Sequence, residues 1–91
     1  MIYAGRSFLR VVVNAGGSGA WNMGLDEALL EDPFGGWTLR LYRWDRPTIS
    51  LGYAQPHEQG VDAIVAGRLG IPVVRRPTGG RAVLHADELT Y

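Results

Sequence analysis

At 91 residues and a formal net charge of zero, the chain forms at most one domain and lacks the basic surface that draws proteins onto nucleic acid. With 46% apolar and 20% charged residues, no apolar run long enough to span a membrane and no secretory signal features at its start, we expect a cytoplasmic globular protein. All nine basic residues are arginine and there is no cysteine, which excludes thiolate and amine nucleophiles and disulfides.

The first half of the chain predicts a strand, a helix and two further strands. Ser7–Val13 ends in three β-branched valines, which favour a buried strand. Ser18 stands at the N-cap position of a helix that runs from about Ala20 to Glu31 with an apolar face. Trp37–Trp44 has two alternating faces typical of a strand. A turn containing proline leads to a short strand over Thr48–Gly52, and the two strands predict a hairpin.

The second half predicts a helix between irregular chain and two strands. Tyr53–Gly60 reads as irregular, and apolar spacing over residues 61–69 predicts a helix that ends at a left-handed Gly70. Ile71–Arg76 follows as a strand. After a turn containing proline and two glycines, Arg81–His85 forms another strand, so this stretch predicts a strand-turn-strand.

The end of the chain predicts an incomplete domain. Leu89–Tyr91 begins another run that favours a strand, and the sequence ends within it. Domains normally end in polar, frayed segments, so we expect the sequence to end inside a domain. No internal repeat or linker divides it.

The glycine-rich turn is the strongest candidate for a ligand site. Gly79 and Gly80 allow a ligand to approach the backbone closely, and a nest of backbone N–H groups binds carboxylate or phosphate oxygens. Arg75, Arg76 and Arg81 add guanidinium groups, which match such anions with paired hydrogen bonds. Alternation along the strand puts the first two arginines on opposite faces, and we favour Arg76 for the site. The alternative is an ordinary hairpin with surface arginines. The turn matches neither a P-loop nor a dinucleotide fingerprint.

Polar and aromatic side chains offer further candidates, each with an ordinary structural alternative. His85 with Asp87 and Glu88, joined by His57 and Glu58, suggests a metal site or an acid–base pair, but a hydrogen-bonded pair near a turn is the more common arrangement, so we predict no metal. The aromatic residues either line an apolar pocket or form core. They are Trp21, Trp37, Tyr42, Trp44 and Tyr53.

Asn22 and Asp26 share one face of the predicted helix, four residues apart. The ordinary expectation for such a pair is a solvated or capping role.

The motif RRPTGGRAVLH at 75–85, followed by ADELTY, resembles the signature of the lipoate-protein ligase A and octanoyltransferase family, which is related to biotin-protein ligases. Other segments resemble the family in the same order, so the resemblance covers nearly the whole chain. These segments are NMGLDEALL at 22–30, LYRW at 41–44, PTISLGYAQ at 47–55 and LGIPVV at 69–74.

The resemblance implies an α/β (α+β) fold like that of biotin ligases and class II aminoacyl-tRNA synthetases, with residues 1–91 as the N-terminal part of a single catalytic domain. In this fold a mixed β-sheet flanked by helices carries an acyl tail, and the glycine-rich turn holds the carboxyl end of that tail. The positions that match the family's acyl- and adenylate-binding residues are Trp44, Arg76, Thr78, Gly79, Gly80, Arg81, Ala82, Val83, Leu84 and His85.

The motif's details separate two activities within the family. Ligases resemble R-R-x-S-G-G-G-A-V-Y-H-D, whereas here Thr78 replaces the serine and Arg81 the third glycine. The pattern is similar to the octanoyltransferases, which move octanoyl from acyl carrier protein to a lysine of lipoyl-domain proteins such as the glycine cleavage H protein. In that family the catalytic cysteine and lysine lie downstream, so we assign no catalytic residue or cofactor to this chain and expect it to be inactive alone.

Two alternatives to octanoyl transfer remain. One is an ATP-dependent lipoate-protein ligase, which would require ATP and Mg²⁺. The other is a non-catalytic module that binds acyl groups or carriers, working with a separate C-terminal remainder of the enzyme. No nucleic acid or membrane partner is expected.

Overall fold

The computed structural model describes residues 9–33 and 36–91, so Ser7 and Phe8 of the first predicted strand lie outside the described residues. Within these ranges the chain forms an α/β fold, as expected from the sequence. In chain order the elements are β1 (Leu9–Gly17), α1 (Gly19–Leu30), β2 (Trp37–Trp44), β3 (Thr48–Leu51), α2 (His57–Gly60), α3 (Ala63–Leu69), β4 (Val73–Arg75) and β5 (Val83–His85).

Local sequence signals set the helix ends. The Ser18 side chain accepts a hydrogen bond from the Trp21 N–H at 3.1 Å, which caps α1 as predicted. Asp62 caps α3 in the same way, and Gly70 ends it with a left-handed φ of 67°. The segment 53–60, expected to be irregular, contains the one-turn helix α2. No helix in the described part of the chain is long and apolar enough to cross a membrane.

The strands form two sheets. β1 and β2 pair in parallel, with α1 as the crossover between them, and their register shifts between Val13 and Gly16. In the second sheet β3 is central, parallel to β4 and antiparallel to β5. Thr90 adds an isolated antiparallel bridge to Tyr42 of β2. Strand directions are therefore mixed, as the sequence indicated.

The predicted hairpin between β2 and β3 is wrong. β2 stays paired with β1 to its end, where the Asp45 N–H donates to the Gly17 carbonyl at 2.9 Å. Its other edge is occupied at Tyr42, which exchanges two backbone hydrogen bonds with Thr90, at 2.9 and 2.8 Å. Since both edges of β2 carry partners, the turn after Trp44 directs the chain into the second sheet instead.

The strands on either side of the glycine-rich turn are also not paired with each other. β3 lies between β4 and β5 in the sheet, so the turn passes over the end of β3. This arrangement corrects the simple strand-turn-strand expectation. It brings the turn next to Gly52, which directly follows β3.

The helix α1 covers one face of the β1–β2 sheet, and that face carries the β2 residues whose side chains contain polar atoms. Arg40, Tyr42 and Trp44 are all buried there. The opposite face is apolar and exposed, with Leu9, Val11 and Val13 of β1 lying beside residues of β2. The exposed residues on the β2 side are Trp37 and Leu39.

A buried arginine connects α1 to this sheet. Arg40 pairs with Asp26 at 2.7 Å and donates to both the backbone oxygen and Oδ1 of Asn22, at 3.0 and 2.8 Å. Its Cζ lies 3.7 Å from the Tyr42 ring centroid, a cation–π contact. The Tyr42 hydroxyl donates to Asp26 at 2.9 Å. Burial raises the pKa of that hydroxyl well above its usual value, and Asp26 adds to the effect. Asn22 is fully buried, so the expected solvated role is wrong.

Candidate functional site

Arg75 fixes the segment that follows β3. Its Nη1 donates to the backbone oxygens of Gly52 and Gln55, each at 2.7 Å, and to that of Tyr53 at 3.2 Å. Three carbonyl groups around one guanidinium nitrogen hold the loop in a tight bend. Arg75, the first arginine of the motif, therefore uses its guanidinium group to hold the protein's own backbone.

Arg76 fixes the glycine-rich turn. Its Nη1 donates to the backbone oxygen and Oγ of Ser50 at 2.9 and 2.7 Å, and its Nη2 donates to the backbone oxygens of Gly79 and Arg81 at 3.0 and 2.8 Å. The two arginines bind different loops, in agreement with the predicted opposite faces. Arg76 thus joins the turn to β3.

Glycine is required on both sides of the contact between the two loops. A Cβ on Gly52 would collide with the carbonyl group of Gly80. Gly80 itself has φ of 104°, a conformation that residues with side chains rarely adopt. The Tyr53 N–H donates to the Thr78 carbonyl at 2.8 Å, which closes the contact. Gly79, by contrast, has open space where a Cβ would be.

His85 is held from both ring nitrogens. Nε2 lies 2.7 Å from Ser50 Oγ, and Nδ1 lies 3.0 Å from Glu88 Oε2. Its ring stacks on Trp44 with centroids 4.0 Å apart and an angle of 13° between the planes. The Trp44 Nε1–H donates to Thr90 Oγ1 at 2.8 Å, and that hydroxyl donates to Glu88 at 2.6 Å. The sequence favoured a hydrogen-bonded pair of His85 with the aspartate at 87, but Asp87 is exposed and Glu88 is the partner of His85 instead.

The serine, histidine and glutamate have the hydrogen-bond order of a nucleophilic triad, but the burial of the serine argues against that chemistry. Ser50 has no exposed surface, and its Oγ already accepts a hydrogen bond from Arg76. A nucleophile must be within reach of the reacting carbon. Ser50 therefore serves the internal network.

Burial acts to raise the pKa of the Glu88 carboxyl, but hydrogen bonds from Thr90 and His85 outweigh it, so this pKa lies below its usual range. Glu88 therefore remains ionised at neutral pH and can accept from both groups.

A cavity of about 260 Å³ brings several of the predicted site residues together. Trp44, Arg76, Thr78 and His85 line it, from β2, the end of β4, the turn and β5. The rest of its wall lies outside the positions that the family resemblance marked, although Tyr42 was one of the aromatic pocket candidates. Those residues are Met23, Asp26, Leu30, Tyr42, Pro77, Thr90 and Tyr91.

The remaining predicted site residues lie beside this cavity, on the turn and on β5, and do not line it. Gly79, Gly80, Arg81, Val83 and Leu84 are exposed, and Ala82 is half-buried. A second cavity of about 420 Å³ shares four residues with the first: Asp26, Leu30, Tyr42 and Tyr91. The two cavities therefore adjoin along α1 and β2.

The missed residues carried weak sequence signals. Met23 and Leu30 are apolar residues of the predicted helix outside the face that its spacing indicated, which was Trp21, Leu25, Ala28 and Leu29. Thr90 lay in the family motif without an evident role. Of the five aromatic candidates, Tyr42 and Trp44 are buried and line the first cavity, whereas Trp21, Trp37 and Tyr53 are exposed.

Within residues 9–33 and 36–91, no group of three His, Cys, Asp or Glu side chains is arranged to hold a metal ion. His57 lies on α2 and is exposed.

Comparison with known proteins agrees with this arrangement. The family model for the lipoyl protein ligase A/B catalytic domain matches residues 18–91. The octanoyltransferase LipM of Carboxydothermus hydrogenoformans is 57% identical over 77 residues, which cover 81% of this chain and 29% of that protein. The chain thus spans less than a third of the length of this curated relative.

Solved structures show the same fold. A bi-partite lipoate protein ligase from Thermoplasma acidophilum, studied with its E2 lipoyl domain, matches with a TM-score of 0.76 and 29% identity over 90% of this chain and 33% of its own. A lipoate protein ligase structure from the same organism, with bound lipoic acid, gives 0.73 and 31% over 85% and 33%. The matched model, these relatives and the shared fold show that the chain belongs to the lipoyl protein ligase A/B catalytic domain family.

Proposed function

We propose that the chain forms part of the acyl site of an octanoyltransferase, which moves octanoyl from acyl carrier protein to a lysine of a lipoyl-domain protein. The observation that carries the proposal is the cavity of about 260 Å³ lined by Trp44, Arg76, Thr78 and His85. These four motif residues come from separate elements and line one cavity. The chain is 57% identical to an octanoyltransferase over the matched region.

The cavity suits an acyl chain next to a polar head. Its wall combines apolar side chains from Met23, Leu30 and Trp44 with polar groups of the glycine-rich turn. The adjoining cavity extends this space along α1. We propose that the thioester end of the acyl group lies at the turn and that its hydrocarbon tail follows α1.

The transfer breaks the thioester bond to the carrier and forms an amide on the lysine of the lipoyl domain, with the carrier thiol released. The chain contains neither cysteine nor lysine, so the groups that the family uses as nucleophile and partner come from elsewhere in the domain. We propose that residues 1–91 are the N-terminal part of a single catalytic domain. Their part is to bind and orient the acyl group and to keep water from it.

A lipoate-protein ligase is the second candidate, because the solved relatives include such ligases. It would require ATP and Mg²⁺. The described residues offer no cluster of three metal-ligating side chains, so we derive no step through ATP. Its dependence on ATP is tested below.

A chimera tests the proposal. This chain replaces the matching segment of the Carboxydothermus octanoyltransferase, and the product is incubated with octanoyl-acyl carrier protein and an unmodified lipoyl-domain protein. We expect mass spectrometry to show octanoylation without ATP. Modification that requires ATP and free lipoate would instead support the ligase. A folded chimera with no activity, beside an active parent enzyme, would contradict both.

The chimera with Arg68→Ala is the matched control. Arg68 is an exposed arginine of α3, so its loss should leave octanoyl transfer unchanged.

A further inference from the structure

We propose that Glu88 and Ser50 are positioning residues that fix the orientation and the protonated nitrogen of His85 in the wall of the acyl cavity. The inference rests on the proposed function, since it concerns the same cavity. His85, Trp44 and Thr90 line that cavity, whereas Glu88 and Ser50 are not among its lining residues and act from behind it.

The direction of each hydrogen bond on the Ser50 side follows from groups that can only donate. The Arg76 guanidinium has no acceptor, so it donates to Ser50 Oγ at 2.7 Å. The hydroxyl hydrogen of Ser50 is then available to His85 Nε2, 2.7 Å away. Because the ionised Glu88 carboxylate can only accept, His85 Nδ1 is its donor, and we infer that Nε2 accepts from Ser50.

On the other side of the His85 ring, the hydrogen bonds end at the Glu88 carboxylate. The Trp44 indole N–H can only donate, and it donates to Thr90 Oγ1 at 2.8 Å. The Thr90 hydroxyl donates a hydrogen bond to Glu88 Oε2 at 2.6 Å. The Nδ1–H of His85 donates to the same oxygen at 3.0 Å. Two chains of donors thus end at Glu88 Oε2, which is their common acceptor.

The network determines how His85 can meet a ligand. Both ring nitrogens bind protein groups, and one face stacks on Trp44 at 4.0 Å. His85 is 7% exposed, so a small part of the ring reaches the cavity. Its contribution to acyl binding is therefore a rigid ring surface, and the carboxylate of Glu88 keeps that surface in place.

The experiment reads the His85 ring directly. The full chain is labelled with ¹⁵N, and the shifts of the imidazole nitrogens are measured by NMR at neutral pH, with octanoate affinity by titration. His57→Gln assigns the signals, because the chain has two histidines. In the wild type we expect the His85 ring to carry a proton on Nδ1 and to accept at Nε2.

In Glu88→Gln we expect the His85 proton to shift toward Nε2, because the amide can donate as well as accept. We expect octanoate binding to weaken by on the order of ten-fold, through the loss of hydrogen bonds to a charged group. Asp87→Asn is the matched control, an exposed carboxylate next in sequence, and should change neither readout.

Ser50→Ala tests the hydrogen bond at His85 Nε2. This variant also provides the test if Glu88→Gln does not fold. We expect the Nε2 shift to move as its donor is lost, and an unchanged shift would overturn the inference. So would a folded Glu88→Gln chain with the wild-type His85 spectrum and octanoate affinity. A wild type that shows the Nδ1 proton but binds no octanoate would contradict the proposed acyl site, so the two failures are distinguishable.

Discussion

Nη2 of Arg40 lies 2.8 Å from Oδ1 of Asn22, and both side chains are buried between α1 and β2. Asn22 also donates from Nδ2 to the carbonyls of Arg43 and Gly17, at 3.1 and 3.3 Å. A polar contact with several partners thus fixes the helix on the sheet. Because Met23 and Asp26 of the same helix line the candidate acyl cavity, this contact also determines where one wall of the cavity stands.

Asn22→Ala should lower the free energy of unfolding by about 2–3 kcal/mol, because it removes one acceptor of the buried Arg40 guanidinium and the side-chain donor to the carbonyls of Gly17 and Arg43. Urea denaturation of the full chain measures the change. Glu27→Ala, an exposed position of the same helix, should change the free energy by less than about 0.5 kcal/mol. Equal stability of the two variants would contradict a structural role for the buried contact.

Gly52→Ala should destabilise the chain by about 1–3 kcal/mol, because its Cβ would meet the Gly80 carbonyl and force the two loops apart. Gly79→Ala is the matched control in the adjacent turn, since its Cβ would enter open space. Thermal unfolding followed by circular dichroism compares the two. If Gly79→Ala lowered the melting temperature as much as Gly52→Ala, close contact would not be the reason.

Arg76→Ala should impair octanoyl transfer more than folding, whereas Gly80→Val should also lower stability, because Gly80 has φ of 104°. The carbonyls that Arg76 binds at Gly79 and Arg81 belong to exposed residues, so water can replace much of that bonding, whereas the shape of the turn is lost. In the chimera we expect activity to fall by about ten-fold or more for a loss of roughly 1.4 kcal/mol in transition-state binding. Proportional losses of activity and melting temperature in Arg76→Ala would count against the site.

Stability should fall in acid through Glu88. The pKa of its carboxyl is lower in the folded chain than its ordinary value, so its contribution is complete above the unfolded pKa, roughly 4.3, and is lost as the pH falls through the folded pKa. Melting temperatures of the wild type and Glu88→Gln should therefore differ most above that value and converge below it. A constant difference over this range would contradict the prediction.

The chain should self-associate as its concentration rises. Leu9, Val11, Val13, Trp37 and Leu39 form an exposed apolar face on the β1–β2 sheet, and apolar patches of this kind promote association. Sedimentation velocity should show oligomers that decrease when Val11 and Leu39 are both changed to threonine. Ile64→Thr, at a position 70% exposed on α3, should have no effect. A monomer at all concentrations would refute the prediction.

Sequence patterns predicted the local features well, because their causes are local. The Ser18 cap and the left-handed Gly70 follow from the hydrogen bonding and backbone freedom of single residues. Alternation in β2 correctly separated two faces. It did not show that the face with Arg40 is the buried one, since that depends on partners from α1 that lie 14 to 18 residues earlier in the chain.

By itself, the sequence determined the fold class, the family and the motif that marks the candidate site, because these follow from short-range patterns and from their order. Tertiary structure alone decided which strands pair. β2 keeps β1 and Thr90 as neighbours, so the expected hairpin with β3 does not form. It also decided the role of Ser50, whose distance to His85 arises when segments 35 residues apart fold together. Hydrogen-bond geometry across that separation has no signature in a single sequence.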